Sequence, residues 1–180
     1  ASVGTGFSAL SVNFETGTTF GCSGLEVNLI RSLAAGGPTD ASGFSNVIYA
    51  GTDGFGPVQP TTPTGGHIWV STNAAGGTTT WFDRSGSINP GQFPVSGVAV
   101  DRADSTGQTA YVTIMGFGVS HVWKTTNAGS TWTDFTSNLP DSPVNAIVVD
   151  PGTTTSNGTV YVGTDVGVFS SSTASASWTE

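Results

Sequence analysis

The chain of 180 residues carries 9% charged side chains, twelve acidic against four basic, for a net charge of −8. Phosphate backbones are held by clustered Lys and Arg, whereas Arg31, Arg84, Arg102 and Lys124 are scattered, which excludes nucleic acid and anionic membrane surfaces as partners. No apolar stretch is long enough for membrane insertion, and 36% apolar residues arranged in β-branched and aromatic runs among 26 glycines suit one all-β domain rather than a disordered chain.

From the N-terminus, residues 1–20 hold one alternating stretch, Phe7 to Phe14, expected to form a strand or arm beside the main repeat. Residues 21–180 repeat. Cut at about 21–90, 91–140 and 141–180, the segments bring the five tryptophans, three tyrosines and two histidines into register. The first segment predicts strands at Leu25-Glu26-Val27-Asn28, Val47-Ile48-Tyr49, Ile68-Trp69-Val70 after His67, and Trp81. The second predicts Val98-Ala99-Val100-Asp101, Thr109-Ala110-Tyr111, Val122-Trp123-Lys124 after His121, and Trp132. The third predicts Ala146 to Asp150, Thr159 to Thr164, Val168 to Ser171 and Ser177-Trp178-Thr179, with Ile147-Val148-Val149 reading as covered on both faces. Four short β-rich runs recurring at about 50 residues mark a four-stranded propeller blade. The expected fold is therefore all-β, a β-propeller segment of about three four-stranded antiparallel blades. The stacking sets Cys22 opposite Val95 and Val144 as a small buried side chain, and Asn28 opposite Asp101 and Asp150 as a strand-end cap.

The turn between the third and fourth runs has the most specific local pattern. In the second segment it reads Thr125-Thr126-Asn127-Ala128-Gly129-Ser130-Thr131-Trp132. A hydroxyl opens it, Asn127 is suited to bond backbone N–H groups, Gly129 permits a positive φ, and Trp132 packs over the turn. The first segment keeps Ser71, Asn73 and Trp81 but inserts residues between Asn73 and Trp81; the third keeps Ser171 and Trp178 but has Thr173 and Ser175 for the Asn and Gly. This pattern resembles the Asp-box, or BNR, repeat of sialidases, sortilin-type receptors and xyloglucanase-like glycoside hydrolases, with Asn where Asp is usual. The resemblance implies a propeller in which these turns are folding devices on the outer rim, and it assigns them no chemistry.

Successive strands run antiparallel, so the turns between second and third runs open at the opposite end, where propellers bind ligands. Asp53 and Asp165 stand there in register, with Met115 as their counterpart. They are the candidate acid and base of a glycosidase; the plainer reading is turn aspartates bonding local amides, which recurrence at one repeat position favours. Phe55, Phe117 and Phe44 are candidate rings for stacking on sugar, with core packing as the alternative. Residues 54–66 occur in the first segment alone and are the candidate function-specific loop. His67 and His121 are repeat-equivalent and have no Cys, Asp or Glu cluster at ligand spacing, so they are expected as half-buried scaffold residues, with no metal and no cofactor. Sialidase chemistry is set aside because the arginines lie at non-equivalent positions and every tyrosine belongs to the repeat.

These readings lead to a secreted or surface recognition or structural module for a glycan or protein, not an enzyme on its own. The rival is a fragment of a xyloglucanase-like hydrolase with Asp53 or Asp165 catalytic. An extracellular or cell-surface location rests on lysine poverty and Ser/Thr/Gly richness, since the single Cys22 is silent on compartment. Asn157-Gly158-Thr159 reads as a sequon or, more simply, a hairpin turn. Rings take about four to eight blades, so the expected partners include the remaining blades of a longer chain or other copies of this one.

Overall fold

The computed structural model describes residues 29–54, 65–76, 79–86 and 88–180. They form three antiparallel sheets, each from strands consecutive in sequence. The first sheet orders β1 (Ile30–Thr39), β2 (Ser45–Thr52), β3 (Ile68–Ser71) and β4 (Phe82–Asp83). The second orders β5 (Val95–Val100), β6 (Ala110–Ile114), β7 (Val122–Thr125) and β8 (Thr133–Asp134), and the third pairs β10 (Thr159–Thr164) with both β9 (Val144–Asp150) and β11 (Gly167–Ser172). In the middle sheet every residue of β6 is buried, because a neighbouring sheet covers each of its faces.

Register identifies equivalent positions. Tyr49 pairs with Ala34, Tyr111 with Ala99 and Tyr161 with Val148. The inner strand of the first sheet is therefore Ile30–Thr39, and not the Leu25–Asn28 stretch, which lies upstream and outside the described residues. Ile30 and Gly36, rather than Cys22 and Asn28, occupy the positions of Val95 and Asp101. This strand escapes the hydrophobic pattern because it is built of small residues, which close approach between sheets requires. Gly107, at φ 70°, comes so near that a Cβ on it would stand 2.4 Å from the Gly37 amide nitrogen.

The third sheet brings two further corrections. Ser177 to Thr179 supplies one isolated bridge, Ser170 to Thr179, in place of a fourth strand. Neighbouring backbone donors are engaged elsewhere: Ser177 N–H donates to Ser171 Oγ and Trp178 N–H to Asn138 Oδ1, each at 2.8 Å. The Ile147–Val149 run is covered on one face only, since Val148 is 62% exposed.

Two apolar seams join the sheets. Tyr49, Ile68 and Val70 meet Val98, Val112 and Ile114 in the first; Tyr111, Val122 and Phe135 meet Val160, Val162 and Phe169 in the second. Burying each large apolar side chain is worth about 1.5–3 kcal/mol. Each tyrosine also spans its seam, Tyr49 Oη donating to Gly107 O at 2.9 Å and Tyr111 Oη to Thr173 O at 3.4 Å. Burial, aided by the negative charges of Asp104 and Asp101 respectively, pushes both phenols far above their ordinary pKa. The tryptophans clasp in the other direction: Trp132 Nε1–H donates to Arg84 O at 2.8 Å and Trp178 Nε1–H to Phe135 O at 3.0 Å. Those acceptors are equivalent, being the residues that follow β4 and β8.

In the β7–β8 turn, Thr125 Oγ1 accepts from Gly129 N–H at 2.9 Å and Asn127 Oδ1 accepts from Thr131 N–H at 2.9 Å, while Gly129 takes φ 75° beside Trp132. The longer first turn retains the asparagine bond, Thr80 N–H to Asn73 Oδ1 at 2.9 Å, because Ala74–Gly76 folds into a 3-10 turn ahead of Trp81. In the third, Thr173 turns inward and its hydroxyl accepts from Gly158 N–H at 3.0 Å, leaving Ser171 Oγ to hold the turn through Ser177.

Trp178→Phe removes one inter-sheet donor and is expected to cost about 1–2 kcal/mol, against about 3–5 kcal/mol for Trp178→Ala, read from urea unfolding midpoints. Asn127→Ala strips Thr131 N–H of its acceptor and is expected to cost about 1 kcal/mol. Asn127→Asp keeps that oxygen and lets the Thr131 hydroxyl donate, so the same titration should place it within about 0.5 kcal/mol of the parent.

Candidate functional site

The β2–β3, β6–β7 and β10–β11 turns open at the same end as the links that follow β4 and β8. Asp53, just past β2, accepts from Gly54 N–H at 3.0 Å and pairs with Arg31 Nη1 at 3.2 Å. Arg31 Nη2 also reaches Met115 Sδ at 3.9 Å, so the pair touches the equivalent turn of the second sheet. Asp165 accepts from Asn145 Nδ2 at 2.7 Å. Asp53 thus combines a local amide with a long-range cation, and Asp165 uses a side chain of the adjacent strand. The two carboxylates belong to the first and third sheets, with the Met115 turn in the sheet between.

The β6–β7 turn builds a distinct surface at this end. Gly116 packs against the Phe93 ring so closely that a Cβ there would lie 2.8 Å from it. With Phe93 beneath the turn, Phe117 projects outward and is 64% exposed. Next to it, a cleft of about 280 Å³ is lined by Gly118, Ser120, His121, Thr136, Leu139 and Asp141. Asp141 Oδ1 accepts from Gly118 N–H at 2.7 Å and lies 3.1 Å from His121 Nε2. That contact makes Nε2 the protonated nitrogen, and Nδ1 is buried without a hydrogen-bond partner. Beside it, burial disfavours ionisation of Asp134, but bonds from Ser120 and Thr136 and the nearby His121 outweigh this and lower its pKa.

The two histidines differ more than their register suggests. His121 is buried, not half-buried, while His67 is partly exposed. His67 Nδ1 lies 2.9 Å from Asp83 Oδ2 and 3.3 Å from Ser85 Oγ. A nucleophile relay needs serine and carboxylate on opposite ring nitrogens, so this trio is a local tie and not a catalytic triad. Burial raises the Asp83 pKa, but bonds from His67 and Ser85 more than offset it and bring it to about 2. Among the described residues no group of three or more His, Cys, Asp or Glu is placed to hold a metal.

A second groove, of about 310 Å³, lies between β7–β8 and residues 174–176 with Lys124 in its wall. Burial lowers the Lys124 pKa, partly opposed by Asp101. Its Nζ donates to Thr173 O at 2.7 Å and sits 5.4 and 5.7 Å from the Tyr111 and Phe135 ring centres. Lys124 therefore ties the second seam.

Phe117 lies where the sequence places it. Phe44 does not, since it stands in the β1–β2 turn at the opposite end, with the β3–β4 turns. Phe55, together with residues 55–64 of the inserted loop, lies outside the described residues. Asp141 and the Arg31–Asp53 pair are absent from the sequence reading. Asp141 sits in Leu139-Pro140-Asp141-Ser142-Pro143, in the link equivalent to Arg84 to Pro94, which carries no acidic residue, and that difference between the two links is the signal the sequence offers.

No family model matches the sequence, and no curated protein matches it in sequence. In structure the chain is similar to the Niastella koreensis GH74 enzyme, with 23% identity and a TM-score of 0.53 over 74% of this chain and 19% of that one. It is also similar to the GH74 xyloglucanase from Xanthomonas campestris, with 18% identity and a TM-score of 0.58 over 83% of this chain and 23% of that one. The chain spans less than a quarter of the length of either. The likeness is one of fold: three antiparallel sheets set as β-propeller-like blades in the manner of GH74 structures.

Proposed function

We propose that the chain is an arc of an extracellular β-propeller that recognises a neutral glycan at its β2–β3 turn end, with the β3–β4 turns acting as Asp-box repeats. The observation that carries this reading is the exposed Phe117 ring beside the Asp141 cleft. An exposed ring stacks on the C–H face of a sugar, while a carboxylate beside it accepts hydrogen bonds from hydroxyl groups. Asp53, Asp141 and Asp165 make this end acidic, which favours an uncharged polyhydroxylated ligand over a phosphate or a uronic acid. Xyloglucan is the first ligand to test, because one of the structural neighbours is a xyloglucanase.

That neighbour also favours a second reading, in which the arc is part of a hydrolase and Asp53 or Asp165 does acid–base work. Paired glycosidase carboxylates stand about 5–10 Å apart across the scissile bond. Asp53 is paired to Arg31 and Asp165 bonded to Asn145, in different blades, so this reading requires both to be released and brought to one substrate.

Xyloglucan oligosaccharides titrated into isotope-labelled chain are expected to shift the amide resonances of Phe117, Gly118 and Asp141. Phe117→Ala should weaken binding about tenfold, or about 1.4 kcal/mol, and Phe117→Trp should restore it. Saturating oligosaccharide without shifts at this end would remove the reading. Release of reducing ends from xyloglucan by the parent, lost in Asp53→Asn and Asp165→Asn, would establish the hydrolase reading instead.

A further inference from the structure

The same two blade faces meet at both seams. One is the tyrosine face, carrying Tyr49 and Ile68 in the first blade and Tyr111 and Val122 in the second; all four are fully buried by the blade that follows. The other is the receiving face, carrying Val98 and Val112 in the second blade and Ile147 and Val162 in the third. Cross-strand pairing puts Tyr161 and Val168 of the third blade at the positions of Tyr111 and Val122, with Val148 opposite Tyr161. Here the tyrosine face is uncovered: Tyr161 is 42%, Val148 62% and Val168 64% exposed. At the other end of the arc, Leu33 occupies the receiving position of Val98 and Ile147, pairing with Ala50 as they pair with Val112 and Val162. It is 65% exposed, whereas Val98 is buried; Ala50 itself is 1% exposed, so the receiving face of the first blade is open along the β1 edge.

We propose that the tyrosine face of the third blade docks on the receiving face of the first blade in a second copy of this chain, so that two copies close head to tail. The chain itself carries both halves of an interface it already makes twice, which makes a second copy the occupant that fits without any new type of contact. The described residues of each copy form three blades, so two copies give six, within the range of about four to eight that propeller rings adopt. The contact is heterologous, joining two different faces, and two such contacts related by a two-fold axis close the ring and cover both of these faces in each copy. Each copy carries a net charge of −8, so added salt strengthens the association. The inference is independent of the ligand reading, which concerns the turn end and not the blade faces.

Light scattering on the eluting 180-residue chain tests it. The expected mass is twice 18.1 kDa, with dissociation on dilution shifting to lower concentration as salt rises. Val148→Asp with Val168→Asp disables one face and Leu33→Asp the other, so each variant alone should run as a monomer. An equal mixture of the two variants should recover a weaker two-copy species, because one competent pair of faces remains between them. Circular dichroism establishes that each variant is folded, and the parent's own mass is decisive if one is not. A monomeric parent across the concentration range overturns the proposal and leaves the face to further blades of a longer chain. Growth beyond two copies overturns closure. A dimer that survives Leu33→Asp but not the third-blade substitutions joins like faces and overturns the head-to-tail arrangement.

Discussion

The indole N–H of Trp132 and of Trp178, each bonded back to the blade before its own, is the constraint on which the arc depends. Trp132 reaches Arg84 O and Trp178 reaches Phe135 O, carbonyls at the same repeat position. Apolar packing alone would let neighbouring blades slide, since burial is non-directional. A directional bond at a fixed point, together with the tyrosine hydroxyl bridging the same seam in the other direction, sets the register between blades. The acceptors begin the links between blades, and the link that starts at Phe135 carries Asp141 to its place beside Gly118 and His121. The cleft is thus held by the same bond that joins the blades.

This explains which parts of the fold were legible in the sequence. Tryptophan and tyrosine are rare and do inter-blade work at fixed positions, so their spacing exposed the repeat, the strand order and the two ends of the arc. The inner strand of the first blade was placed wrongly because closeness to the neighbouring blade demands small side chains. Ser32-Leu33-Ala34-Ala35-Gly36-Gly37 therefore has little hydrophobic signature, while Leu25-Glu26-Val27-Asn28, which alternates large apolar with polar side chains, reads as the strand. The missing fourth strand of the third blade is a similar case. Trp178 satisfies the pattern, but backbone donors on either side of a regular strand's path are taken by Ser171 and Asn138.

The candidate site was legible only in part, for a different reason. Register finds what repeats, and Asp53 and Asp165 repeat without meeting. Phe117 is legible because the β6–β7 turn is itself a repeat position, whereas Asp141 has no acidic equivalent in the link after β4 and pairs with a histidine that reads as scaffold. His67 and His121 share a position, yet one pairs within its own blade and the other with the following link. A shared position fixes the backbone path and leaves the side-chain partner open.

The β2–β3 turn end and the uncovered blade faces are separate surfaces, because turns terminate strands while faces flank them. Covering Tyr161, Val148 and Val168 therefore does not obstruct Phe117 or the Asp141 cleft. Closure into a ring would gather the β2–β3 type turns of every blade around one mouth, the arrangement in which two separate aromatic platforms engage one extended polysaccharide. Linked sites of that kind gain affinity through effective concentration without new contacts, provided the ligand spans them. Under that geometry a long glycan binds the closed ring more tightly than a short oligosaccharide does, and the difference disappears in the open arc.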